Sequence, residues 1–338
     1  MKHVIAKHKL FALVLFLLVS DTASAADFIT FSASKGSFAI SKDNQPTSMF
    51  IDPSERNGLK LALKNLQSDL HKVTGETPNI IHSIAKAQML IIVGTLDNSG
   101  PIKALQKSGK IDIQAIQGQW EAYQIQLVSQ PFEGVEQALV ISGSDMRGAI
   151  FGVYELSSAV GVSPWYWWAD VPVAQHEDIF VKADTLVVDW PKVKYRGLFL
   201  NDEAPALTGW VQENFGNYNS QFYGHMFELM LRLKANYLWP AMWNNAFNLD
   251  DPNNPILAHE MGIVMGTSHH EPMMRADKEW NWTGEGKWDY AVNEKHLYEF
   301  WQQGAKRHQK LESIFTLGMR GQEDEPMSEQ QNIALLEK

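Results

Sequence analysis

The pattern of apolar and polar positions divides the chain into two regions. In the first, short apolar runs predict strands, and apolar residues spaced three and four apart predict helices. The predicted strands begin at Ile29 and lie at Met89–Gly94, Tyr123–Val128 and Ala138–Ser142, with helices around 59–70 and 150–157. Glycines follow both helices closely, at Gly75 and Gly161, as is typical of helix ends. This region is predicted to be a small α/β domain over residues 26–190.

After Trp190-Pro191 the pattern becomes a repeat of strand and then helix. The predicted strands are Tyr195–Leu200, Tyr237–Met242, Ile263–Gly266 and Ile314–Leu317, with helices around 226–233, 256–261 and 297–305. Four such units are half of a (β/α)8 barrel. The predicted fold is therefore α/β, with the first half of a TIM barrel over residues 191–338. Because half a barrel leaves open strand edges, we expect an N-terminal part of a longer protein. An open four-stranded α/β domain is the alternative.

The first 25 residues are typical of a secretory signal peptide. Three lysines precede an unbroken apolar run, Leu10–Val19, which is too short to span a membrane. Ala23-Ser24-Ala25 then forms a small-residue cleavage site. No later stretch is predicted to cross a membrane. We therefore expect an exported protein, periplasmic or extracellular, that begins at Ala26.

Composition excludes several classes of function. The 338 residues carry 29 Lys and Arg against 39 Asp and Glu, a formal net charge of −10. Loss of the signal peptide removes three lysines and one aspartate and makes this −12. An acidic chain is unlike a nucleic-acid binder, which carries a basic surface. The absence of cysteine excludes disulfides, thiolate metal sites and cysteine nucleophiles.

Acidic residues collect after the predicted strands of the second region. They are Asp202, Glu203, Glu271, Glu323, Asp324 and Glu325. Glycoside hydrolysis needs two carboxyl groups, one to protonate the leaving oxygen and one to activate water or attack carbon. Helix capping and exposed loop charge are the alternative explanation. The pair Asn201-Asp202 is the strongest candidate, because it directly ends an apolar strand.

Histidines, tryptophans and one arginine add further candidates. His269 and His270 follow the third strand, and as neighbours on an extended chain they should point to opposite faces. Neither HxH nor HExxH spacing occurs, so no metal is expected. Trp239 and Trp243 lie near a strand end and could stack on a sugar. The aromatic cluster at 165–168 is instead predicted to form a core between the domains. Arg320 could bind an anionic sugar or pair with the acidic run after it.

Six segments together resemble glycoside hydrolase family 115. They are RGAIFGVYEL at 147–156, GVSPWYWWADVP at 161–172, YRGLFLNDE at 195–203, KANYLWPAMW at 234–243, GTSHHEPM at 266–273 and GMRG at 318–321. The family comprises xylan α-1,2-glucuronidases, which release glucuronic acid or its 4-O-methyl form with inversion. The resemblance thus implies glucuronoxylan as substrate, no cofactor, and a longer chain that completes the barrel and is often a homodimer.

The resemblance also assigns roles to individual residues. Asn201 and Asp202 match the pair after the first barrel strand, His270 or His269 an active-site histidine, and Arg320 the arginine near the uronate. Asp324 matches a catalytic carboxylate, with Glu323 and Glu325 as alternatives, and a second carboxylate is expected beyond Lys338. Glu155 is expected to reach the site from the first domain. Two other readings remain open: a metal-dependent barrel hydrolase using His269, His270 and Asp202, and a non-catalytic carbohydrate-binding fragment.

Overall fold

The computed structural model describes residues 28–84, 87–318 and 320–321. The predicted signal peptide and the acidic run at 323–325 lie outside the described residues. Within them the strands are β1 Ile29–Thr30, β2 Phe38–Lys42, β3 Gln45–Pro46, β4 Met49–Ile51, β5 Ile80–Ile81, β6 Ala87–Thr95, β7 Tyr123–Ser129, β8 Val135–Gly143, β9 Ile179–Val181, β10 Leu186–Asp189, β11 Gly197–Phe199, β12 Tyr237–Trp239 and β13 Val264–Met265. The helices are α1 Asn57–Thr74, α2 Gly100–Lys107, α3 Met146–Ala159, α4 Ala206–Phe215, α5 Ser220–Arg232, α6 Phe247–Asp250, α7 Asn254–Met261, α8 Asp277–Thr283 and α9 Tyr290–Arg307, with a 3-10 turn at Pro272–Met274.

The first region is built on a six-stranded sheet in the order β10-β7-β8-β6-β4-β5. Strands β5, β4, β6 and β8 run parallel to one another. Next to β8, β7 runs antiparallel to both of its neighbours, β8 and the edge strand β10. The central strand residues Leu90–Val93 are fully buried, as expected for parallel strands covered on both faces. Helices α1 and α3 pack on one face and α2 on the other. The predicted α/β character is therefore confirmed here.

Helix α1 shows why the sequence pattern was informative. Its leucines at 59, 63, 66 and 70 are all buried, because three- and four-residue spacing places them on one side of the helix. The helix ends at Gly75, whose φ of 79° lies in the left-handed region and whose N–H donates to the His71 carbonyl. No helix within the described ranges has both the length and the apolar character that a membrane span requires.

The second region contains a parallel sheet in the order β11-β12-β13. Helices α4 and α5 connect the first two strands, and α6 and α7 connect the second pair. The predicted fourth strand, Ile314–Leu317, is wrong in extent: an isolated bridge joins Ser313 to Met265, and no ladder follows. In the described residues 314–317 the chain stays beside the segment after β13 through a side-chain bond, because the Thr316 hydroxyl donates to the Thr267 carbonyl at 2.7 Å. The Thr316 carbonyl accepts from the Met273 amide of the 3-10 turn instead of from a strand.

The tryptophan cluster lies between the two regions, as predicted. Trp167 stacks on His225 of α5 with ring centroids 3.8 Å apart. The Trp168 indole N–H donates to the His225 carbonyl at 3.2 Å. Trp165, in contrast, is 45% exposed. Two of these rings therefore hold α5, which lies between β11 and β12 in the chain, against the first region.

A buried carboxylate joins the regions at the amino edge of the parallel sheet. Glu121 is 2% exposed and accepts from three groups. Its partners are the Arg147 Nε of α3 at 2.5 Å, the Arg196 guanidinium before β11 at 2.7 Å, and the Asn236 amide before β12 at 2.6 Å. Arg147 also pairs with Glu312 at 2.7 Å. This set of contacts holds the starts of two strands on the first domain.

Candidate active site

The polar residues that follow β11, β12 and β13 lie at the carboxyl-terminal ends of these strands, which we call the carboxyl edge. Phe199 and Trp239 are paired in register and share one face of the sheet, where their rings meet edge to face at 5.6 Å. The Trp239 indole donates to the Tyr237 hydroxyl at 2.6 Å. Gly266 lets that tyrosine approach, since a Cβ there would lie 1.9 Å from its oxygen. Aromatic rings therefore cover this face up to its carboxyl edge.

Asp202 is the central buried group at this edge. It is fully buried, and one carboxylate oxygen accepts from the amides of Met242 at 2.9 Å and Trp243 at 3.1 Å. The other oxygen accepts from the Asn245 side chain at 2.5 Å. Both oxygens are thus occupied by the loop after β12. In this arrangement Asp202 holds that loop in place, and the loop presents Trp243.

Asn201 and Trp243 lie above this anchor and face solvent. The Trp243 indole N–H donates to the Asn201 side-chain oxygen at 3.3 Å. Trp243 is 45% exposed and Asn201 is also exposed. An indole face beside an amide can take the apolar C–H face of a sugar and one of its hydroxyls. The structure therefore brings these two predicted residues together.

His269 and His270 lie in a turn after β13, and the prediction that they point to opposite faces is wrong. Their rings are in contact, with centroids 4.1 Å apart. The turn closes through the Thr267 hydroxyl, which donates to the Glu271 carbonyl at 2.6 Å. Since strand alternation applies only to extended backbone, it fails at this turn. His269 is exposed and His270 is half-buried.

Glu271 ends this turn as a buried acid. It is 3% exposed, and its Oε1 has no hydrogen-bond partner among the described residues. Burial raises the pKa of the Glu271 carboxyl well above its usual range, and the nearby Asp277 and Glu279 add to the effect. Beside it, with Asn248 and Thr267, is a cavity of about 10 Å³, room for one water molecule. Burial therefore favours the protonated form of the Glu271 carboxyl.

Asp250, under the loop held by Asp202, gives the site a measurable pH dependence. Burial raises the pKa of Asp250 to about 6, with a contribution from the Asp202 charge. The raised pKa means that the folded protein binds this proton more tightly than the unfolded chain does. We therefore expect the free energy of unfolding to fall as pH rises from about 4 to about 6, and the loss to persist above that range.

Asp250→Asn should remove this part of the pH dependence. An asparagine stays neutral, and its amide oxygen can still accept from the Ala246 amide, which Asp250 Oδ2 does at 3.0 Å. The variant should be more stable than the parent at about pH 7 by on the order of 1 kcal/mol, after allowance for partial exposure. Denaturant unfolding at about pH 4 and about pH 7 measures this. The control is Asp43→Asn, at an exposed turn. The prediction would be contradicted if the free energy of unfolding of Asp250→Asn changed with pH in the same way as that of the parent.

Arg320 lies at the same edge, next to helix α8. Its carbonyl accepts from the Trp288 indole at 2.9 Å, and its side chain is exposed. Gly321 lines a small enclosed pocket together with His270, Asp277, Trp280, Asn281 and Trp288. The third strand end and the segment around Arg320 are therefore adjacent. The acidic residues Glu323, Asp324 and Glu325 follow directly, outside the described residues.

Glu155 lies elsewhere, which argues against its predicted reach into the site. Its carboxylate pairs with Lys234 at 2.9 Å and accepts from the Tyr123 hydroxyl at 3.0 Å. Lys234 precedes β12. In a parallel sheet, groups before a strand lie at the opposite edge from groups after it. Glu155 therefore stands at the amino edge, beside the Glu121 contacts.

Two residues of this edge were missed from the sequence. Asn245 completes the coordination of Asp202, and Asp277 shares the pocket of His270. For Asn245 the sequence did carry a signal, the polar pair Asn244-Asn245 directly after Trp243. Asp277 offered none, because an acid at a helix start is ordinary. In the described ranges, His, Asp and Glu side chains form no group of three or more able to hold a metal ion.

Comparisons with known proteins agree on one family. The sequence profile of glycosyl hydrolase family 115 matches residues 188–338. A solved structure described as a family GH115 4-O-methyl-α-glucuronidase, BtGH115A, with specificity for decorated arabinogalactans, superposes with a TM-score of 0.78 at 32% identity. That alignment covers 88% of this chain and 38% of BtGH115A.

A second solved structure is much less similar. A Streptomyces plicatus β-hexosaminidase mutant in complex with its product has a TM-score of 0.41 at 13% identity, over 69% of this chain and 42% of the other. No curated protein matches the chain. The profile match and the similarity to BtGH115A, which span most of the described residues, show that this chain belongs to glycoside hydrolase family 115.

Proposed function

We propose that this chain is part of an exported α-glucuronidase. The enzyme would release glucuronic acid, or its 4-O-methyl form, from α-1,2 linkages on xylan with inversion of the anomeric configuration. The observation that carries the proposal is that Asn201, Trp243 and the histidine turn follow the carboxyl ends of three adjacent parallel strands, with Gly321 beside His270. Family membership and the activity named for BtGH115A support the same class of reaction. The predicted signal peptide supports export.

We also propose that β11, β12 and β13 are the first strands of a (β/α)8 barrel. Their parallel order, the helices between them and the bridge at Ser313 fit its first turns. Active sites of that fold lie at the carboxyl ends of the strands, which is where the candidate residues are. The amino edge, with Glu121 and Glu155, then serves stability.

Binding of the uronic acid follows from the exposed groups. The Trp243 indole offers a flat apolar surface for the sugar ring, and the Asn201 amide can bond a hydroxyl. The Arg320 guanidinium can pair with the uronate carboxylate through two parallel hydrogen bonds. Asp202 acts through Trp243 as a positioning residue, because its oxygens are occupied by the loop.

The chemical step requires a proton donor and a base. In inversion the donor protonates the glycosidic oxygen while the base removes a proton from water, which attacks the opposite face of the anomeric carbon. The two carboxyls stand about 6.5–9.5 Å apart to admit that water. Asp324 is proposed as one of them, as the donor, with the second supplied by sequence after residue 338. The His269-His270 turn would contact the sugar beside them.

The substrate is tested by product release from two glycans. The complete gene product should liberate glucuronate or 4-O-methylglucuronate from glucuronoxylan. Because the linkage is α and the mechanism inverts, the sugar first detected by NMR should be the β anomer. Because BtGH115A is named for decorated arabinogalactans, those glycans are the comparison substrate. Release from arabinogalactan alone would replace xylan as the substrate and keep the reaction. No release from either would overturn the proposal.

Two controls address the other readings of the sequence. A metal-dependent hydrolase using His269, His270 and Asp202 would lose activity in EDTA and regain it with added metal. A carbohydrate-binding protein would retain glucuronoxylan without releasing any sugar. Activity that is insensitive to EDTA would favour the acid–base mechanism.

Arg320→Ala should mainly weaken substrate binding. Loss of the guanidinium leaves the uronate without its charge-assisted partner, which typically costs about 1.5–3 kcal/mol, or roughly 10- to 150-fold in KM. The kcat should change much less. Lys306→Ala, on an exposed part of α9, is the matched charge control. A KM unchanged by Arg320→Ala would show that another group binds the carboxylate.

A further inference from the structure

We propose that Asp277 is a positioning residue for His270, with its carboxylate accepting a hydrogen bond from the imidazole. Both side chains line the same small enclosed pocket at the carboxyl edge of β13. The catalytic consequence rests on the proposed function, but the pairing itself does not. The kind of site is a carboxylate–imidazole pair, in which the acid orients the ring and favours its protonated form.

The first support is an unpaired carboxylate oxygen. Oδ1 of Asp277 is shielded from solvent and has no hydrogen-bond partner among the described residues. A buried acceptor without a donor is costly. The Trp288 indole in the same pocket already donates to the Arg320 carbonyl. The His270 ring is the ionisable donor that faces this oxygen's pocket.

The second support is the effect of neighbouring charges on the pKa of Asp277. Burial raises the pKa of the Asp277 carboxyl, while Lys278 and His270 lower it. This charge effect agrees with the placement of both side chains in one pocket. The effect is mutual: the same carboxylate must raise the pKa of the imidazole.

The start of α8 leaves Oδ1 of Asp277 unused, although the carboxylate accepts a hydrogen bond from the Lys278 backbone amide. The residue begins α8, but Glu279 provides the cap, because its Oε1 accepts from the Ala276 amide at 3.2 Å. Glu279 is also held by Arg275 at 2.8 Å and Arg307 at 3.1 Å. Asp277 thus stands outside these ion pairs, and its pocket side is left for His270.

Other charges act on His270 and oppose the acid. His269 contacts its ring, and Arg320 precedes Gly321 of the pocket lining; a positive charge on either side chain would disfavour an imidazolium. Glu271, at the end of the turn, is buried, and burial disfavours its charged form. On α8, Lys278 also disfavours the imidazolium. Among the described residues, Asp277 is the carboxylate that lines the same pocket as His270.

Histidine titration by NMR of the complete gene product, without substrate, tests the pairing. Asp277→Asn should lower the midpoint of His270 by roughly 1 pH unit or more, as expected for loss of an adjacent opposite charge. Asp277→Glu should restore part of the shift. Glu285→Gln is the matched control, because Glu285 lies 3.7 Å from His296. It should leave the midpoint of His270 unchanged.

The parent protein provides a second measurement if Asp277→Asn does not fold. At high pH its neutral His270 should show a single tautomer in nitrogen-15 spectra, with the proton on the nitrogen that faces Asp277. An unchanged His270 midpoint in a folded Asp277→Asn variant, or two exchanging tautomers in the parent, would overturn the pairing. The pH profile of kcat/KM should move with the same midpoint, and absence of activity would affect only the proposed function.

Discussion

Asp324→Ala is expected to lower turnover on glucuronoxylan by at least about 10²–10⁴-fold, the contribution typical of general acid–base catalysis. The leaving sugar oxygen needs a proton as its bond breaks, and no water in a closed site supplies it as well. Gly321 lines the pocket of His270, and Asp324 follows it by three residues in the sequence. The measurement is kcat in the complete gene product, with released glucuronate as readout.

Glu323→Ala and Glu325→Ala are the matched controls. They remove the same charge within one residue of Asp324, so they report the general effect of the acidic run. If one of them abolishes turnover while Asp324→Ala does not, the catalytic assignment moves to that position. If all three variants keep parental turnover, the acid lies outside this segment. Circular dichroism of each variant separates loss of chemistry from loss of fold.

Glu121→Ala should lower the free energy of unfolding by about 3 kcal/mol or more, the loss found when one partner of a buried ion pair is removed. The carboxylate is 2% exposed and binds two guanidiniums and the Asn236 amide. Its removal leaves Arg147 and Arg196 close together without the shared anion. Denaturant unfolding of parent and variant, followed by tryptophan fluorescence, measures the difference.

Two further variants define the origin of that loss. Glu133→Ala removes an exposed glutamate of the same domain and should change stability by less than about 0.5 kcal/mol. Glu121→Gln keeps the shape and the hydrogen-bond acceptor but removes the charge, so its loss should be nearly as large. Parental stability for Glu121→Ala would show that the amino-edge contacts do not hold the two regions together.

The sequence by itself determined the elements that depend on local periodicity. Leu59, Leu63 and Leu66 recur with helical spacing, and the structure forms α1 there. The apolar run Met89–Gly94 lies within β6. Parallel strands also place the residues that follow them at one edge, so Asn201, Trp243 and His270 could be grouped before any coordinates were known. These properties follow from neighbours in the chain.

Only the tertiary structure decided which polar groups meet. Asp202 ends its strand as predicted, yet its oxygens hold the loop that carries Trp243, forty residues away. Glu155 and Asp277 are both acids on helices, but one faces Lys234 at the amino edge and the other faces the pocket of His270. The His269 and His270 rings meet because a turn replaces the extended backbone. The physical reason is that hydrogen bonds and ion pairs between distant segments leave no periodic trace in the sequence, whereas burial of an apolar face does.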